Sequence, residues 1–311
     1  MAIFDNANYD FIKWRWHAIA LSTLILLAGI GYAVTNGVPL GIDFSGGTIV
    51  VVKFEQPVSV DQVRSALAAG MSGENVIQSY GDAANHEILI RVPQLVAEEG
   101  AALEQNARAI VDSITKANLG KFEVRSQEIV GPVIGADLQR KGIYATLASL
   151  LGITVYIGLR FRFAFALGAV AATLHDVFVT LAFLFFFGYD LSLNVVAAIL
   201  AITGYSVNDT IVIFDRVREN LKNKRRDSLD TVVNLSVNQT LSRTIITAGT
   251  TFLAVLSLFL FGGEVLEGFA FTMLVGIISG TYSTIFIAAA IATVLSGKQA
   301  KGRTPGTRKA S

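Results

Sequence analysis

Six long apolar stretches run along the chain, and a mostly polar segment separates the first from the other five. A helix that crosses a bilayer needs about 20 predominantly apolar residues, and spans of about 17 are tolerated. The stretches that meet this length are residues 16–34, 143–159, 163–187, 191–214, 245–261 and 269–295. The pattern therefore predicts an α-helical integral membrane protein with six transmembrane helices.

The first apolar stretch has a second interpretation, a cleavable signal peptide. Its leader carries Asp5 and Asp10, and no small-x-small cleavage site follows it. Signal peptides have a positively charged leader and such a site. We therefore favour a permanent membrane span for this stretch.

The polar segment between the first and second apolar stretches contains shorter apolar runs, which are typical of strands and short helices. Residues 48–54 read TIVVVKF, a β-branched run typical of a strand. Ser59 followed by Gln62 is a capping box, which predicts a helix that continues to about residue 69. Residues 75–80 and 87–92 flank a Gly-Asp turn and predict a hairpin.

The second half of this segment predicts one more helix and one more strand. Apolar residues recur at helical spacing between 103 and 114, and Gly120 is placed to end that helix. Residues 122–130 read as a last strand. The order βαββαβ predicts a ferredoxin-like sandwich over residues 36–141, between helices 1 and 2. Such a fold indicates no chemistry by itself.

The distribution of Lys and Arg predicts the orientation of the spans. Basic residues precede the first span, separate the second from the third, and follow the fourth and the sixth; they are Lys13, Arg15, Arg160, Arg162, Arg216, Arg218, Lys222, Lys224, Arg225, Arg226, Lys298, Lys301, Arg303, Arg308 and Lys309. The turns at 188–193 and 262–268 carry acidic residues but no Lys or Arg. Because short loops rich in Lys and Arg stay in the cytoplasm, both termini are predicted to be cytoplasmic.

The predicted organisation is a cytoplasmic N-terminus at 1–15, transmembrane helix 1 at 16–35, a periplasmic domain at 36–141, a five-helix bundle at 142–296 with a cytoplasmic loop at 215–244, and a disordered basic tail at 297–311. A modest apolar stripe after Asp227 and Ser228 predicts a surface helix on the membrane interface within that loop. A helix that docks a partner is the alternative. The sequons at Asn234 and Asn238 are set aside, since they fall on the cytoplasmic side.

Composition agrees with a membrane protein and excludes several classes of function. Hydrophobic residues make up 52% of the chain, charged residues 16%, and the mean hydropathy is +0.55. Cysteine is absent, the three histidines show no metal-ligand spacing, and no phosphate-binding loop occurs. We expect no enzymatic activity, no cofactor, no metal site and no nucleic-acid partner.

One carboxylate, Asp209, lies within the otherwise apolar fourth stretch. An ionised Asp at the centre of a spanning helix costs roughly 2.5 to 3.5 kcal/mol, and such residues most often mark proton or ion routes. Asp209 precedes Asp215 by six residues, so a rise of about 1.5 Å per residue places it roughly 9 Å inside the helix end. Tyr205 lies one turn above, Arg216 two turns below, and Asn208 is adjacent. A permanently protonated acid in an interhelical hydrogen bond is the structural alternative.

A cation for this carboxylate comes from the fifth span. Arg243 opens that span, and its long side chain can reach inward from the interface. The alternative is an interface anchor, and Asp215 is also interpreted as an anchor rather than a relay member. His175 and Asp176 form a second polar site in the third span, where adjacent residues point about 100° apart. We interpret this pair as a structural or secondary proton site.

Small residues recur every fourth position in the sixth span. They are Gly276, Gly280, Thr284, Ala288 and Ala292. Such a stripe lets two helix backbones approach closely. We expect it to serve packing inside the bundle rather than a subunit interface.

Five motifs, in order along the chain, closely resemble the SecF family. They are GIDFSGGT at 41–48, VGPVIGADL at 130–138, GYSVNDTIVIFDRVREN at 204–220, SRTIITAGTT at 242–251 and GGEVLEGF at 262–269. SecF is the smaller subunit of the bacterial SecDF accessory complex of the Sec translocon, related to the resistance-nodulation-division pumps. The likeness extends from about Tyr9 to Leu295.

The resemblance implies a function and residues that carry it. Family members pair with SecD in the bacterial inner membrane and use the proton motive force to assist protein export. The family's proton-path residues correspond to Asp209 and Arg243. Four residues of the first motif, Gly41, Asp43, Gly46 and Gly47, are a family hallmark for which we derive no chemistry, although the glycines suit a tight chain entry.

The partners that the resemblance implies are SecD, the SecYEG translocon, the translocating preprotein, membrane lipids and YajC. Two other functions remain open at this point. One is a non-catalytic scaffold for SecD, in which Asp209 is structural. The other is half of a transporter for small-molecule or lipid efflux.

Overall fold

The computed structural model describes residues 7–68, 76–81, 83–93, 100–224 and 226–301. The elements, in chain order, are α1 Arg15–Asn36, α2 Ile42–Ser45, β1 Gly47–Phe54, α3 Val60–Ala68, β2 Val76–Tyr80, β3 Glu87–Pro93, α4 Gly100–Lys116, β4 Phe122–Val130, α5 Pro132–Arg160, α6 Phe163–Phe186, α7 Leu193–Asn223, α8 Leu229–Phe261, α9 Glu264–Ser283 and α10 Ala289–Lys301. A π-helical turn, Thr284–Ala288, joins α9 to α10.

Six helical segments of the described chain are long and apolar enough to cross a membrane, which confirms the six predicted spans. They correspond to α1, α5, α6, α7, α8 and the continuous segment from α9 to α10. The helix of the second span is longer than the apolar pattern alone indicates. It begins at Pro132, a residue that suits the first helical turn because its missing N–H would be unpaired there anyway.

The segment predicted to be a separate interfacial helix is instead part of the spanning helices. α7 runs on to Asn223, and α8 begins at Leu229, so the interfacial prediction is wrong. The apolar stripe predicted here consists of Leu229, Val232, Val233 and Val237, and the structure buries Val233 and Val237 in the bundle core. Ser228 does cap the new helix, since its hydroxyl accepts a hydrogen bond from the backbone N–H of Thr231 at 3.2 Å.

Asn234 and Asn238 hold the N-terminal arm against α8. The Asn234 side chain accepts a hydrogen bond from the backbone N–H of Phe11 at 2.9 Å. Asn238 both accepts from the Tyr9 N–H and donates to the Tyr9 carbonyl, each at 2.8 Å. Arg15 adds an ion pair with Asp230 at 2.8 Å. These asparagines therefore satisfy backbone groups that the short arm leaves unpaired.

The segment between α1 and α5 contains a four-stranded sheet in the order β2-β3-β1-β4, and all neighbouring strands are antiparallel. Val50 pairs with Ile90 and Val52 with Ile88 in the centre. Ile110 of α4 is buried with them in one apolar core, which α3 also covers. The sheet therefore buries one face under two helices, as the alternating strand pattern indicates.

The capping box and the hairpin predicted in this segment are confirmed, whereas the prediction that Gly120 ends the second helix is wrong. The capping box is complete: the Ser59 N–H donates to the Gln62 side chain at 2.9 Å, and the Gln62 N–H donates to the Ser59 hydroxyl at 3.3 Å. β2 and β3 form the predicted hairpin, although Asp82 of the expected turn lies outside the described residues. α4 ends at Lys116, before Gly120, and Asn118 takes the left-handed backbone conformation that ends a helix.

The small-residue stripe is packed inside the bundle, as predicted. A Cβ on Gly276 would meet the Ile202 side chain of α7 at 2.2 Å. On the other side of the π turn, a Cβ on Gly168 of α6 would meet the Ala288 carbonyl oxygen at 2.6 Å. The helix that carries the stripe therefore lies against both α6 and α7. Its end, α10, extends to Lys301, five residues into the tail expected to be disordered; residues 302–311 lie outside the described chain.

Candidate functional site

Asp209 of α7 contacts α8 inside the bundle. Its Oδ1 atom accepts a hydrogen bond from the Thr244 hydroxyl at 2.8 Å. Its Oδ2 atom is buried and has no hydrogen-bond partner in the described structure. An ionised carboxylate can accept about four hydrogen bonds. Here Oδ1 accepts one, and Oδ2 accepts none from the described residues. A buried oxygen without a partner costs free energy, which either a proton or a cation can remove.

The predicted cation lies near Asp209 but does not pair with it. Arg243 is exposed at the surface of α8 and is close enough to attract the carboxyl electrostatically. No ion pair joins Arg243 to Asp209 within 4.0 Å in the described part of the chain. Asn208 is exposed and makes no side-chain hydrogen bond to a described residue. The structure thus places Asp209 in a hydrogen bond with Thr244, while Arg243 lies nearby without forming an ion pair with it.

Asp215 does not mark the end of its helix. α7 continues to Asn223. The depth of roughly 9 Å predicted for Asp209 was counted from Asp215 as the helix end, so it does not apply. Asp215 pairs with Arg160 at the end of α5 at 2.8 Å, and both side chains are partly exposed. Arg216 pairs within its own helix, with Glu219 at 2.9 Å. Exposed pairs of this kind contribute little stability, which suits anchors more than relay members.

A second carboxylate, Asp176 of α6, is only 1% exposed and is surrounded by hydroxyl donors. Ser206 of α7 donates to Oδ2 at 2.5 Å, and Ser283 of α9 donates to the same oxygen at 2.7 Å. Ser279 of α9 donates to Oδ1 at 2.7 Å. These bonds join three helices at one side chain. Because a buried carboxylate needs such donors, the cluster fixes α6, α7 and α9 against one another.

His175 contacts both its neighbour Asp176 and Tyr282 of α9. The Nδ1 atom lies 3.1 Å from Asp176 Oδ1, and the ring stacks on Tyr282 with centroids 6.2 Å apart. The Nε2 atom is buried without a hydrogen-bond partner in the described structure. Tyr282 donates to the Ala18 carbonyl at 2.7 Å, so the cluster also reaches α1. The side chains of His175 and Asp176 therefore belong to one buried group.

Sequence reasoning missed the hydroxyl side chains that complete both sites. Thr244 directly follows Arg243, and Ser279 and Ser283 are spaced four residues apart in the sixth span. That spacing places two hydroxyls on one helix face, which is a usable signal. It did not show which helix they meet. The contact of Thr210 with Thr284 at 2.9 Å lies beside this cluster, where the π turn begins.

The GIDFSGG segment lies at the opposite end of the bundle from the Arg15 and Arg160 ion pairs. Its first glycine, Gly41, donates its N–H to the Leu191 carbonyl at 2.8 Å, and a Cβ there would lie 3.1 Å from that oxygen. Asp43 Oδ2 accepts from the N–H of Leu193 at 2.8 Å. Gly46 and Gly47 both have positive φ, of 72° and 136°. The glycines thus permit the close approach and the turn into β1.

Two more polar contacts meet at the turn between α6 and α7. Arg91 of β3 pairs with Asp190. Tyr189 donates its phenol proton to Glu267 of α9 at 2.6 Å. Burial, and then this hydrogen bond and the negative charge of Glu267, raise the pKa of the Tyr189 phenol above its ordinary value. Among the described residues, no cluster of three or more His, Asp and Glu side chains could hold a metal ion.

Family comparisons cover most of the chain. Residues 110–298 match the family described as protein export membrane protein SecD/SecF, C-terminal, and residues 33–58 match the SecD/SecF GG motif. The protein translocase subunit SecF of Escherichia coli O157:H7 is 41% identical over 94% of this chain and 89% of its own length. The SecF of Rhodothermus marinus is 41% identical over 99% of this chain and 100% of its own length.

Solved structures agree with the sequence relatives. The crystal structure of SecDF from Thermus thermophilus, described as a translocon-associated membrane protein, matches with a TM-score of 0.83 and 34% identity. The match covers 96% of this chain but 40% of the SecDF chain. A super-membrane-facing form of SecDF matches with a TM-score of 0.70. The chain therefore belongs to the SecD/SecF family of protein export membrane proteins and, within it, to the SecF translocase subunits.

Proposed function

We propose that this chain is the SecF half of a proton-driven assembly with SecD that assists Sec-dependent protein export. Asp209 accepts the proton, and Arg243 is its mobile counter-charge. The observation that carries the proposal is the unpartnered Oδ2 atom of Asp209, buried between α7 and α8. A proton that binds the Asp209 carboxyl neutralises its unpaired charge. The guanidinium of Arg243 would balance the same charge if it moved beside the carboxylate.

The two ways of satisfying Asp209 favour different helix arrangements. When Asp209 is ionised, attraction draws the Arg243 guanidinium inward, which its long flexible side chain allows. When Asp209 is protonated, that attraction ends and the Thr244 hydrogen bond is the remaining contact. Protonation therefore shifts the packing of α7 against α8. One charge that crosses 100 mV supplies about 2.3 kcal/mol, so several protons per stroke can drive useful conformational work.

The same geometry supports a multi-pass arrangement in the bacterial inner membrane with both termini in the cytoplasm. The Arg15 pair with Asp230 and the Arg160 pair with Asp215 are both formed at ends of spanning helices next to basic loops. Basic loops remain in the cytoplasm. The domain at 36–141 then lies in the periplasm. Its β-α-β-β-α-β order and the antiparallel strand order β2-β3-β1-β4 support a ferredoxin-like assignment.

SecD is the proposed partner because the matching SecDF chain is much longer than this one. The match covers 40% of that SecDF chain, so the rest of SecDF contains segments that have no counterpart in this chain. α8, which carries Arg243 and Thr244, has many exposed side chains, including Leu253 and Leu260. This apolar surface suits SecD or lipid. SecYEG, the translocating preprotein and YajC are further partners proposed for the assembled complex.

Replacing Asp209 by Asn tests the proposal in the complex with SecD. The amide keeps the volume and can still accept from Thr244, but it cannot take up and release a proton. Export of a secreted reporter into membrane vesicles is measured with and without a proton gradient. We expect the variant to lose the gradient-dependent part of export, to keep the ATP-driven part, and to co-purify with SecD.

Asp215→Asn is the matched control, since it removes an equivalent charge from the same helix at an exposed ion pair. It should retain gradient-dependent export. If Asp209→Asn also retains it, Asp209 is structural and the chain is a scaffold for SecD. If the complex moves a drug or lipid while secretion in a depleted strain is unaffected, the chain is half of an efflux transporter.

A further inference from the structure

The N-terminal end of α7 is held to the β-sheet domain by non-covalent contacts between segments that are far apart in the sequence. Residues 39–41 run beside the turn that precedes α7: the Gly41 N–H donates to the Leu191 carbonyl at 2.8 Å, and the Leu191 N–H donates to the Pro39 carbonyl at 2.7 Å. These two segments are about 150 residues apart in sequence, and pair as a short parallel bridge between Leu40 and Leu191. The two segments move together as long as these bonds hold.

Asp43 caps α7 from outside the helix. Ser192, the helix's own N-cap, accepts from the Val195 N–H at 3.3 Å. The Leu193 N–H remains free of any partner inside the helix, as the first N–H groups of a helix always are. It donates to Asp43 Oδ2 at 2.8 Å. The negative charge at this position is also favoured by the helix dipole.

A second connection comes from the sheet itself. Arg91 lies on β3, pairs in register with Ile49 of β1, and its guanidinium pairs with Asp190. The Arg91 and Asp190 side chains are 18% and 31% exposed, so water screens this pair only in part. Asp190 and Leu193 lie three residues apart on either side of the start of α7. The domain therefore holds this helix at two points that are close to each other.

The connected helix is the one that carries Asp209. α7 is continuous from Leu193 to Asn223. Sixteen residues separate Leu193 from Asp209, which is roughly 24 Å along a helix at about 1.5 Å per residue. An unbroken helix packed against α6 and α9 is a stiff element. A shift of α7 at Asp209 therefore also moves Leu193, whose N–H is bonded to Asp43, and the adjacent Asp190, which is paired with Arg91.

We infer that Asp43 and the Arg91 pair with Asp190 form a joint that transmits movement of α7 to the β-sheet domain. The GG motif thus has a mechanical role: its glycines let the chain approach Leu191, and its carboxylate attaches to the helix. The inference rests on the proposed function, because the proton-linked shift of α7 is the movement that the joint would transmit. Asp43, Arg91 and Asp190 are positioning residues and do not carry protons.

The test measures the distance between the domain and the bundle in the complex with SecD. The chain contains no cysteine, so Asp112→Cys, at an exposed position of α4, and Val265→Cys, at the exposed start of α9, are its only two labelling sites; SecD is used free of cysteine. Pulsed electron paramagnetic resonance then reports the distance distribution between the labels, at rest and with an inward proton gradient. Proton uptake by the same proteoliposomes is recorded in parallel.

Asp43→Ala combined with Arg91→Ala opens both points of the joint. We expect a distance distribution at least twofold broader at rest, no response to the gradient, and proton uptake within twofold of the parent. Asp61→Ala, which removes an exposed ion pair with Arg64 on the same domain, should behave as the parent. Asp43→Asn retains an acceptor oxygen for Leu193 and should stay close to the parent at rest.

Charge exchange distinguishes a specific joint from general damage. Arg91→Asp alone should broaden the distribution, and the double variant Arg91→Asp with Asp190→Arg should restore it. An unchanged resting distribution in the double alanine variant overturns the joint. If the parent itself shows no response to the proton gradient, the proposed function fails, while the resting distributions still decide whether the joint exists.

Discussion

Thr244 Oγ1 lies 2.8 Å from Asp209 Oδ1, and this hydrogen bond joins α8 to α7 within the apolar part of the bundle. The other carboxyl oxygen is buried without a partner in the described structure. The contact between the two helices at this depth therefore depends on a side chain whose charge can change. This relationship links a proton to helix packing, and it underlies the first prediction.

Thr244→Val should weaken proton-driven export, because the methyl group that replaces the hydroxyl cannot donate to Asp209. A hydrogen bond to a charged group contributes about 1.5–3 kcal/mol, so we expect roughly a tenfold or greater loss of gradient-dependent export. Thr244→Ser keeps the hydroxyl and should retain most of it. Reporter export in vesicles with an imposed proton gradient is the measurement, and equal rates for the Val and Ser variants would contradict this role.

Asp176→Ala should destabilise the bundle, since it leaves three serine hydroxyls and the His175 ring without their common partner. Each buried hydroxyl left without a partner costs about 1–3 kcal/mol, so losing the acceptor common to three of them should cost more than losing one donor. Ser279→Ala removes a single donor and should cost about 1–3 kcal/mol. Thermal unfolding in detergent gives the order of the two variants. A smaller loss for Asp176→Ala than for Ser279→Ala would show that the cluster is not centred on the carboxylate.

Gly168→Ala should destabilise the contact between α6 and the π turn. The new Cβ would lie 2.6 Å from the Ala288 carbonyl oxygen, and a backbone atom cannot move away cheaply. Overpacking of this kind typically costs about 1–3 kcal/mol. Gly152→Ala on α5 is the control, since nothing lies within 4 Å of its Cβ position. The two variants are compared by their unfolding midpoints, and a neutral Gly168→Ala would disprove the tight approach.

Tyr189 should make stability fall at alkaline pH. Burial raises the pKa of its phenol in the folded state above the ordinary value of about 10. A raised folded pKa means that its contribution is fully present below pH about 10 and is lost as the pH rises above that value. Tyr189→Phe removes the titrating group and should flatten the decline. Unfolding midpoints between pH 8 and about 11 test this, and identical slopes for parent and variant would refute it.

Local patterns predicted much of the secondary structure. The six spans and the capping box of Ser59 with Gln62 are confirmed because apolar length and cap chemistry act over a few residues. The interfacial helix was a wrong prediction for a related reason. Its modest apolar stripe is equally consistent with burial in a bundle, and Val233 and Val237 are buried there. A periodic pattern shows that one face is covered but does not show what covers it.

The candidate site residues were also predicted only in part from the sequence. Polar side chains in apolar spans are conspicuous, so Asp209, His175 and Asp176 were all found from the sequence. Their hydroxyl partners were not, because Ser and Thr are common in spanning helices and usually bond to their own backbone. Thr203 and Thr272 do so here. Only the rotation of each helix about its axis decides which hydroxyls turn toward a carboxylate.

By itself, the sequence determined how many segments are long and apolar enough to cross a membrane, which of them carry charge, and where small residues allow close packing. These properties are local, since they depend on length, period and residue type within one segment. Tertiary structure alone decided that Thr244 rather than Arg243 contacts Asp209, that three serines meet at Asp176, and that Asp43 caps α7. Such contacts depend on the register and rotation of helices far apart in the chain, and the packing of the whole bundle sets both.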